Sequence, residues 1–191
     1  MHISIKMKKN LIKEIKIPEG VEVSISENII TVKGKDGENK RAFNFGKILV
    51  ERVENEIILK GQNATKKEKK NMNSITAHIK NMIKGIKKKF EYKLKICFSH
   101  FPITVEIKGD EGLIKNFLGE RIPRKIKLLK NVDIKVNKDI ITVSSCDKEL
   151  AGQAAANFEK ATMIRKRDRR TFEDGIFITS KGEKEIWKEN F

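Results

Sequence analysis

The sequence is poor in several features that define common protein classes. It has only two cysteines, Cys97 and Cys146, among 191 residues. Two are too few for a disulfide framework and are consistent with a reducing compartment. No apolar run is long enough to cross a bilayer, and the opening residues, MHISIKMKKN, lack the apolar stretch of a signal peptide. These absences predict a soluble intracellular protein.

Residues suited to catalysis or metal binding are also scarce. Cys97 and His100 stand three apart, but no second Cys/His pair follows at a zinc-binding spacing, and no orienting carboxylate is evident nearby. A buried small thiol and a hydrogen-bonded histidine are the simpler interpretation of this pair. No glycine-containing stretch matches a phosphate loop or a dinucleotide fingerprint. The sequence therefore predicts no catalytic residue, no metal and no cofactor.

Positive charge is what the chain has in excess. Its 42 Lys and Arg outnumber 26 Asp and Glu, which gives a net charge of +16 and a pI near 9.8. Such an excess predicts a polyanionic partner, either nucleic acid or an anionic membrane surface. The 38% of hydrophobic residues is enough to build a core, so the charge does not imply disorder.

An internal repeat divides the sequence into two halves. Three short matches occur in the same order at offsets of 84, 83 and 82: Ile17-Pro18 with Phe101-Pro102, Ile57-Ile58-Leu59 with Ile140-Ile141-Thr142, and Lys89-Phe90-Glu91 with Thr171-Phe172-Glu173. Each match is weak alone, but a constant order and a nearly constant offset indicate a tandem duplication. The sequence predicts domains over residues 1–92 and 93–191.

Each half has strands first and a helix late. Val21, Val23 and Ile25 alternate with polar residues, as do Ile103, Val105 and Ile107 in the second half. Apolar residues then recur at helical spacing, first at Met72, Ile75, Ile79, Met82, Ile83 and Ile86, and later at Leu150, Ala154, Phe158 and Ala161. The predicted fold is α+β twice, each domain a small antiparallel sheet packed with one helix.

Clusters of cations are the candidate binding sites. One precedes the first helical stripe, one flanks Pro123 in a predicted stiff loop, and one precedes the last apolar strand. The clusters are Lys66, Lys67, Lys69 and Lys70; Arg121, Arg124 and Lys125; and Arg165, Lys166, Arg167, Arg169 and Arg170. For the first cluster, ordinary solvated lysines are an equally good reading, although cations at a helix start oppose the helix dipole.

The use of arginine in the last cluster narrows the choice of polyanionic partner. Half of the eight arginines fall between residues 165 and 170, in a chain with 34 lysines. A guanidinium can hold two phosphate oxygens at once, whereas membrane attraction usually relies on lysines of an amphipathic helix. Aromatic residues, which stack on single-stranded bases, make up only 6% of the chain, and no zinc-finger or basic-zipper pattern of DNA-binding proteins occurs. Structured RNA is the predicted partner, with no membrane and no DNA.

Several motifs carry a family resemblance along nearly the whole chain. They are Ile17-Pro18-Glu19-Gly20-Val21, Ile79 to Gly85, His100-Phe101-Pro102-Ile103, Asn116 to Arg121, and Ile164-x-x-Arg167-x-x-Arg170-x-Phe172-x-Asp174-Gly175-Ile176-Phe177-Ile178-x-x-Lys181. In these motifs the chain resembles the large-subunit ribosomal protein six family, in its archaeal and eukaryotic branch. One departure is Lys160, where the signature usually has Gln and where the change adds charge.

The resemblance implies a structural, non-enzymatic protein of the large ribosomal subunit, in the cytoplasmic ribosome, with two duplicated α+β domains and no cofactor. It implies that Arg167, Arg170 and Lys181 belong to an rRNA-contacting segment. It also implies a place near the sarcin–ricin region and the stalk base, beside neighbouring ribosomal proteins and translational GTPases. Two other hypotheses remain open from the residues: an RNA-processing enzyme or its subunit using Cys97 or His100, and a free RNA chaperone.

Overall fold

The computed structural model describes residues 9–35, 37–166, 168, 171–182 and 184–186. The chain forms two compact units, Met1–Lys88 and Lys89–Phe191. The division falls just before the strand that starts at Phe90, slightly earlier than the predicted boundary after residue 92, because that strand pairs with strands of the second unit. No helix in the described part of the chain is long and apolar enough to span a membrane.

The described residues of the first unit form six strands and a long helix. The elements are β1 (Lys9–Lys16), β2 (Glu22–Ser26), β3 (Ile29–Gly34), β4 (Gly37–Ala42), β5 (Ile48–Val53), β6 (Glu56–Ala64) and α1 (Lys66–Lys87). The strands form two antiparallel sheets with the orders β1-β6-β5 and β2-β3-β4. The helical stripe of α1 is buried as the sequence predicts, from Met72 to Ile86.

The second unit repeats this order and then extends it. Its elements are β7 (Phe90–Cys97), β8 (Thr104–Lys108), β9 (Glu111–Lys115), a short 3-10 turn (Phe117–Gly119), β10 (Arg124–Lys127), β11 (Asp133–Asn137), β12 (Ile140–Ser145), α2 (Lys148–Ala161), β13 (Gly175–Lys181) and β14 (Lys184–Glu185). One sheet has the order β10-β9-β8, and the other has the order β11-β12-β7-β13-β14. The strand β13, which follows α2, pairs with the open side of β7.

The predicted α+β fold with tandem duplication is confirmed, and the structure refines the repeat. Sheet β1-β6-β5 of the first unit corresponds to β7-β12-β11 of the second. The buried residues Ile57 and Leu59 of β6 match the buried Ile141 and Val143 of β12, an offset of 84 rather than 83. The match in the sequence aligns these two strands with an error of one residue. Such a shift matters because it exchanges the inner and outer faces of a strand.

At the start of both helices a side-chain carboxylate accepts a backbone N–H that has no partner within the helix. At α1 the Thr65 N–H donates to the Glu68 carboxylate at 2.8 Å, and the Thr65 hydroxyl donates to the same oxygen. At α2 the Asp147 carboxylate accepts from the Glu149 N–H at 2.8 Å. Such caps stabilise a helix by roughly 1 kcal/mol each. In α2 the buried residues are mainly alanines, so its backbone can lie close to the sheet, with Phe158 as the large core side chain.

Helix α1 also approaches the β2-β3-β4 sheet closely, at the end of β3. A Cβ atom added at Gly34 would overlap the Cγ2 atom of the buried Ile86 and would come within 3.4 Å of the Gly20 carbonyl oxygen. Ile86 is β-branched and 2% exposed, so it has little freedom to move away. The absence of a side chain at Gly34 is therefore required for this contact.

We expect Gly34→Ala to destabilise the first unit by about 1–3 kcal/mol, because the added methyl group overpacks the core. Urea unfolding monitored by circular dichroism measures this loss. Gly112→Ala is the matched control, since a Cβ there would meet Leu128 and Phe158 at ordinary contact distances of 3.5 and 3.6 Å. Equal effects of the two variants would contradict the assignment of a tight contact to Gly34.

Candidate rRNA interface

Two cationic segments of the second unit are attached at the last turn of α2. One contains Arg124 and Lys125, and the other, the arginine-rich segment, begins at Arg165. Thr162, which follows the helix, is 3% exposed, and its Oγ1 atom accepts the Ile176 N–H at 2.9 Å. The same hydroxyl lies within hydrogen-bonding distance of the helix carbonyls of Phe158 and Glu159. Thr162 therefore joins the end of α2 to the beginning of β13, and the arginine-rich segment lies between these two buried points.

Further contacts hold the arginine-rich segment at both of its ends. Ile164, at its start, is buried in the core of the second unit, and Phe172, near its end, packs against the same core. Asp174 is 6% exposed and accepts the Ser99 N–H at 2.7 Å, which ties the segment to the loop after β7. The described residues of this segment thus lie in a loop that is held at both ends.

The predicted stiff loop between the 3-10 turn and β10 is held by Arg124. Its Nε and Nη2 atoms donate to the two carboxylate oxygens of Glu120 at 2.8 and 2.5 Å, and its Nη1 atom donates to the Ala161 carbonyl at 2.7 Å. The guanidinium carbon lies 4.2 Å from the centre of the Phe117 ring. Because its side chain bonds the last residue of α2, Arg124 braces the loop rather than extending freely from it.

These connections bring the two cationic segments to one cleft of about 630 Å³. Arg124 and Lys125 come from β10, Lys160 from the last turn of α2, and Arg165 from the arginine-rich segment. The remaining lining residues are Leu118, Glu120, Ala161, Met163 and Ile164. Glu120 is the only carboxylate among them, and Arg124 binds it, so the cleft presents three further cations.

The three cations other than Arg124 are exposed and suited to binding phosphate. Lys125, Lys160 and Arg165 are all on the surface. Lys125 lies 3.6 Å from the Glu111 carboxylate, but both side chains of this pair are more than half exposed. An exposed ion pair of this kind contributes little to stability, so Lys125 can exchange it for a phosphate contact. We name this surface, Lys125, Lys160 and Arg165, the cationic cleft.

Other predicted residues lie outside the cationic cleft. Arg121 is exposed on the loop before Arg124, beside Ile122, which is 82% exposed. Lys166 is exposed with a φ of 60°, and Lys181 is exposed at the end of β13. Arg167, Arg169 and Arg170 lie outside the described residues. Lys160 was noted in the sequence only as added charge, and its place beside Arg165 depends on the path of the chain after α2.

The lysine cluster of α1 has a local carboxylate. Lys66, Lys67, Lys69 and Lys70 are all exposed in the first turns of the helix. Glu68, between them, caps the helix, and the hydrogen bonds from Thr65 hold the pKa of its carboxyl below the usual value. Because Glu68 stabilises the helix start, an external anion is not needed there for helix stability, and phosphate binding by these lysines stays a prediction.

The Cys97 and His100 pair has no geometry for catalysis. The Cys97 thiol is half-buried, and burial is the main reason why its pKa is raised, which disfavours the reactive thiolate. The His100 ring packs edge-on against Phe101, with ring centres 4.7 Å apart. In the part of the chain that the structure describes, no three His, Cys, Asp or Glu residues are grouped so that they could hold a metal ion.

Comparison with known proteins agrees with the duplicated fold. The family model described as Ribosomal protein L6 matches residues 17–89 and 101–175, one segment in each unit. The chain is 46% identical over 169 residues to the protein of Methanobrevibacter smithii named large ribosomal subunit protein uL6, covering 88% of this chain and 95% of that one. It is 40% identical over 175 residues to the protein of the same name from Methanosarcina mazei, covering 92% and 99%.

The chain belongs to the ribosomal protein L6 family. This membership confirms the resemblance found in the sequence. Members of the family are structural and non-enzymatic ribosomal proteins, so the predictions of a protein without enzymatic activity and of a place in the cytoplasmic ribosome are confirmed as well. The hypothesis of an RNA-processing enzyme using Cys97 or His100 is wrong.

The pair of Arg124 and Glu120 predicts how the stability of the second unit responds to acid. The Arg124 hydrogen bonds lower the pKa of Glu120 from its ordinary value of 4.5. A depressed pKa contributes stability that is present above pH 4.5 and is lost as the pH falls through the folded-state value. We expect Glu120→Gln to lose part of the wild-type stability at pH 7 and to show a smaller further loss between pH 5 and pH 3.

Thermal unfolding across this pH range measures the effect. Glu111→Gln is the matched control, because the Glu111 carboxylate lies 3.6 Å from Lys125 in an exposed pair. If the unfolding temperatures of wild type and Glu120→Gln changed in parallel with pH, the bracing role of the ion pair between Arg124 and Glu120 would be contradicted.

Proposed function

We propose that this structural protein of the large ribosomal subunit binds rRNA through the cationic cleft of its second unit. The observation that carries the proposal is the convergence of Lys125, Lys160 and Arg165 at one cleft. Three cations from separate parts of the chain, without an unbound carboxylate among them, form a surface for closely spaced phosphates.

The roles within the cleft follow from side-chain chemistry. Arg165 can hold two oxygens of one phosphate with its planar fork, while Lys125 and Lys160 act as point charges. Arg124 positions Lys125, the next residue, by bonding Glu120 and α2. Arg167, Arg169 and Arg170 follow Arg165 in the sequence and extend the same cationic segment. Arg121, Lys166, Lys181 and the lysines of α1 add more distant phosphate contacts.

Family membership supports a more specific location for this interface. The resemblance implies that the second unit lies near the sarcin–ricin region and the base of the stalk, among neighbouring ribosomal proteins and close to bound translational GTPases. A compact rRNA region suits a cleft that has few aromatic groups and reads shape and charge rather than single bases.

Binding of this kind is expected to fall steeply with salt, because each phosphate contact releases condensed counterions. We expect the triple variant Lys125→Gln, Lys160→Gln, Arg165→Gln to bind a large-subunit rRNA fragment more weakly than wild type. The slope of log affinity against log salt should become shallower by about 0.7–0.9 for each lost contact. Filter binding across a salt series measures both quantities.

The control is Lys40→Gln, which removes an exposed lysine from β4 of the first unit. It should leave affinity and slope near the wild-type values. An unchanged slope in the triple variant would contradict the proposed cleft. Sedimentation of the wild-type protein with large subunits after a moderate salt wash separates a ribosomal component from a free RNA chaperone, which would stay at the top of the gradient.

A further inference from the structure

The duplicated sheets offer a direct comparison of two equivalent outer faces. In the first unit, Glu14 on β1, Ile58 on β6 and Glu51 on β5 lie side by side in one row across the sheet. In the second unit, the row at the equivalent positions is Lys93 on β7, Thr142 on β12 and Lys135 on β11. The first unit therefore has two glutamates at the positions where the second unit has two lysines. The faces of the duplicated units have opposite charge in their middle row.

The outer face of the first unit also carries apolar side chains. Ile12 and Leu49 flank Lys60 in the next row, and Val53 lies beside Glu56 in the row on the other side. Ile12 is 64% exposed, Leu49 is 56% exposed, and Val53 is 49% exposed. The equivalent positions of the second unit hold Glu91, Asp133 and Asn137. Three exposed apolar side chains interspersed with charged ones on this face, where the second unit has polar residues at the equivalent positions, make the face a candidate contact surface.

The charges on this first-unit face disfavour RNA. Lys60 and Glu51 are paired at 2.7 Å, so the lysine on the central strand of the face is already bonded to a carboxylate. Each of the three strands has three outward residues on this face. Among these nine positions Glu14 and Glu56 add two further carboxylates, and Lys16 is the other cation. A phosphate backbone approaching this face would meet net negative charge and apolar groups. A protein surface with apolar side chains and flanking cations is complementary to it.

We infer that the outer face of sheet β1-β6-β5 docks a neighbouring basic protein of the ribosome. This inference rests on the proposed function, since it requires the protein to be part of that assembly. The neighbour would place apolar side chains over Ile12, Leu49 and Val53, and its cations next to Glu14 and Glu51. The cationic cleft of the second unit would then be the main RNA contact, and this sheet face of the first unit would contact protein.

The size of the face favours a neighbour in the same assembly over a second copy of this chain. Three strands spaced by about 4.8 Å, with three outward residues on each, span a patch of roughly 10 by 14 Å. Stable pairs of free proteins bury about 800 Å² on each partner, which is far larger. A small patch of this kind can contribute when other contacts of the assembly already hold both proteins in place.

Photocrosslinking in purified large subunits tests the inference. The photoreactive amino acid benzoylphenylalanine replaces Leu49 in the full chain, and subunits carrying the protein are isolated by sedimentation and irradiated. We expect an adduct that a protease removes and a ribonuclease leaves intact. The matched control places the same group at position 135, on the equivalent face of the second unit, where no protein adduct is expected.

Each result then has a defined meaning. A protein adduct at position 49 and none at position 135 supports the inference. An RNA adduct at position 49, no adduct there, or equal protein adducts at both positions overturns it while leaving the rRNA interface intact. If the protein does not sediment with large subunits at all, the proposed function fails, and the inference that depends on it fails too.

A second variant tests the same face without a crosslinker. Leu49→Lys should reduce the amount of protein retained on salt-washed large subunits by about tenfold, the loss expected for one well-packed interface side chain. Its affinity for the isolated rRNA fragment should equal that of wild type, because the cationic cleft is unchanged. Equal retention of Leu49→Lys and wild type would overturn the inference.

Discussion

The binding surface depends on the hydrogen bonds at the last turn of α2. The Ala161 carbonyl accepts from Arg124, and the Thr162 hydroxyl accepts the Ile176 N–H. The carbonyls at the end of a helix lack partners within the helix and carry a partial negative charge, so a guanidinium is well placed to bond them. Through these two bonds a single helix end contacts both the start of β10, which carries Lys125, and the segment that carries Arg165. Without them, the two groups of cations would have no common position, and closely spaced phosphates could not be bound by both.

Much of the fold follows from the sequence, since period-two and helical patterns report directly on burial. The stripe from Met72 to Ile86 predicts α1, and the alternation after Pro18 and Pro102 predicts β2 and β8. The division of the strands between two sheets in each unit did not follow, because pairing partners are far apart in the chain. The sequence also did not predict the bracing role of Arg124. Glu120 is only four residues away, but the Ala161 carbonyl is 37 residues away, and no local pattern reports on it.

The duplication shows how two copies of one fold acquire different surfaces. The inward positions stay apolar in both units, as in Ile57 with Ile141 and Leu59 with Val143, since each sheet must cover a helix and a core. The outward positions are free to change, and there Glu14 and Glu51 correspond to Lys93 and Lys135. The second unit also gains β13, which covers the side of β7 and holds one end of the arginine-rich segment. The strand added after α2 thus extends the sheet, and the Ile176 N–H at its start bonds Thr162 at the end of α2.

Directed cleavage of rRNA tests most directly whether the two cationic segments act as one surface. Iron-EDTA is tethered to single cysteines introduced by Lys125→Cys or Arg165→Cys, after Cys97→Ser and Cys146→Ser have removed the native thiols. In reconstituted large subunits both tethers should cut the same short stretch of rRNA, because both positions line one cleft. Cuts in widely separated stretches of rRNA, or cuts from only one of the two positions, would contradict a shared binding surface at the end of α2.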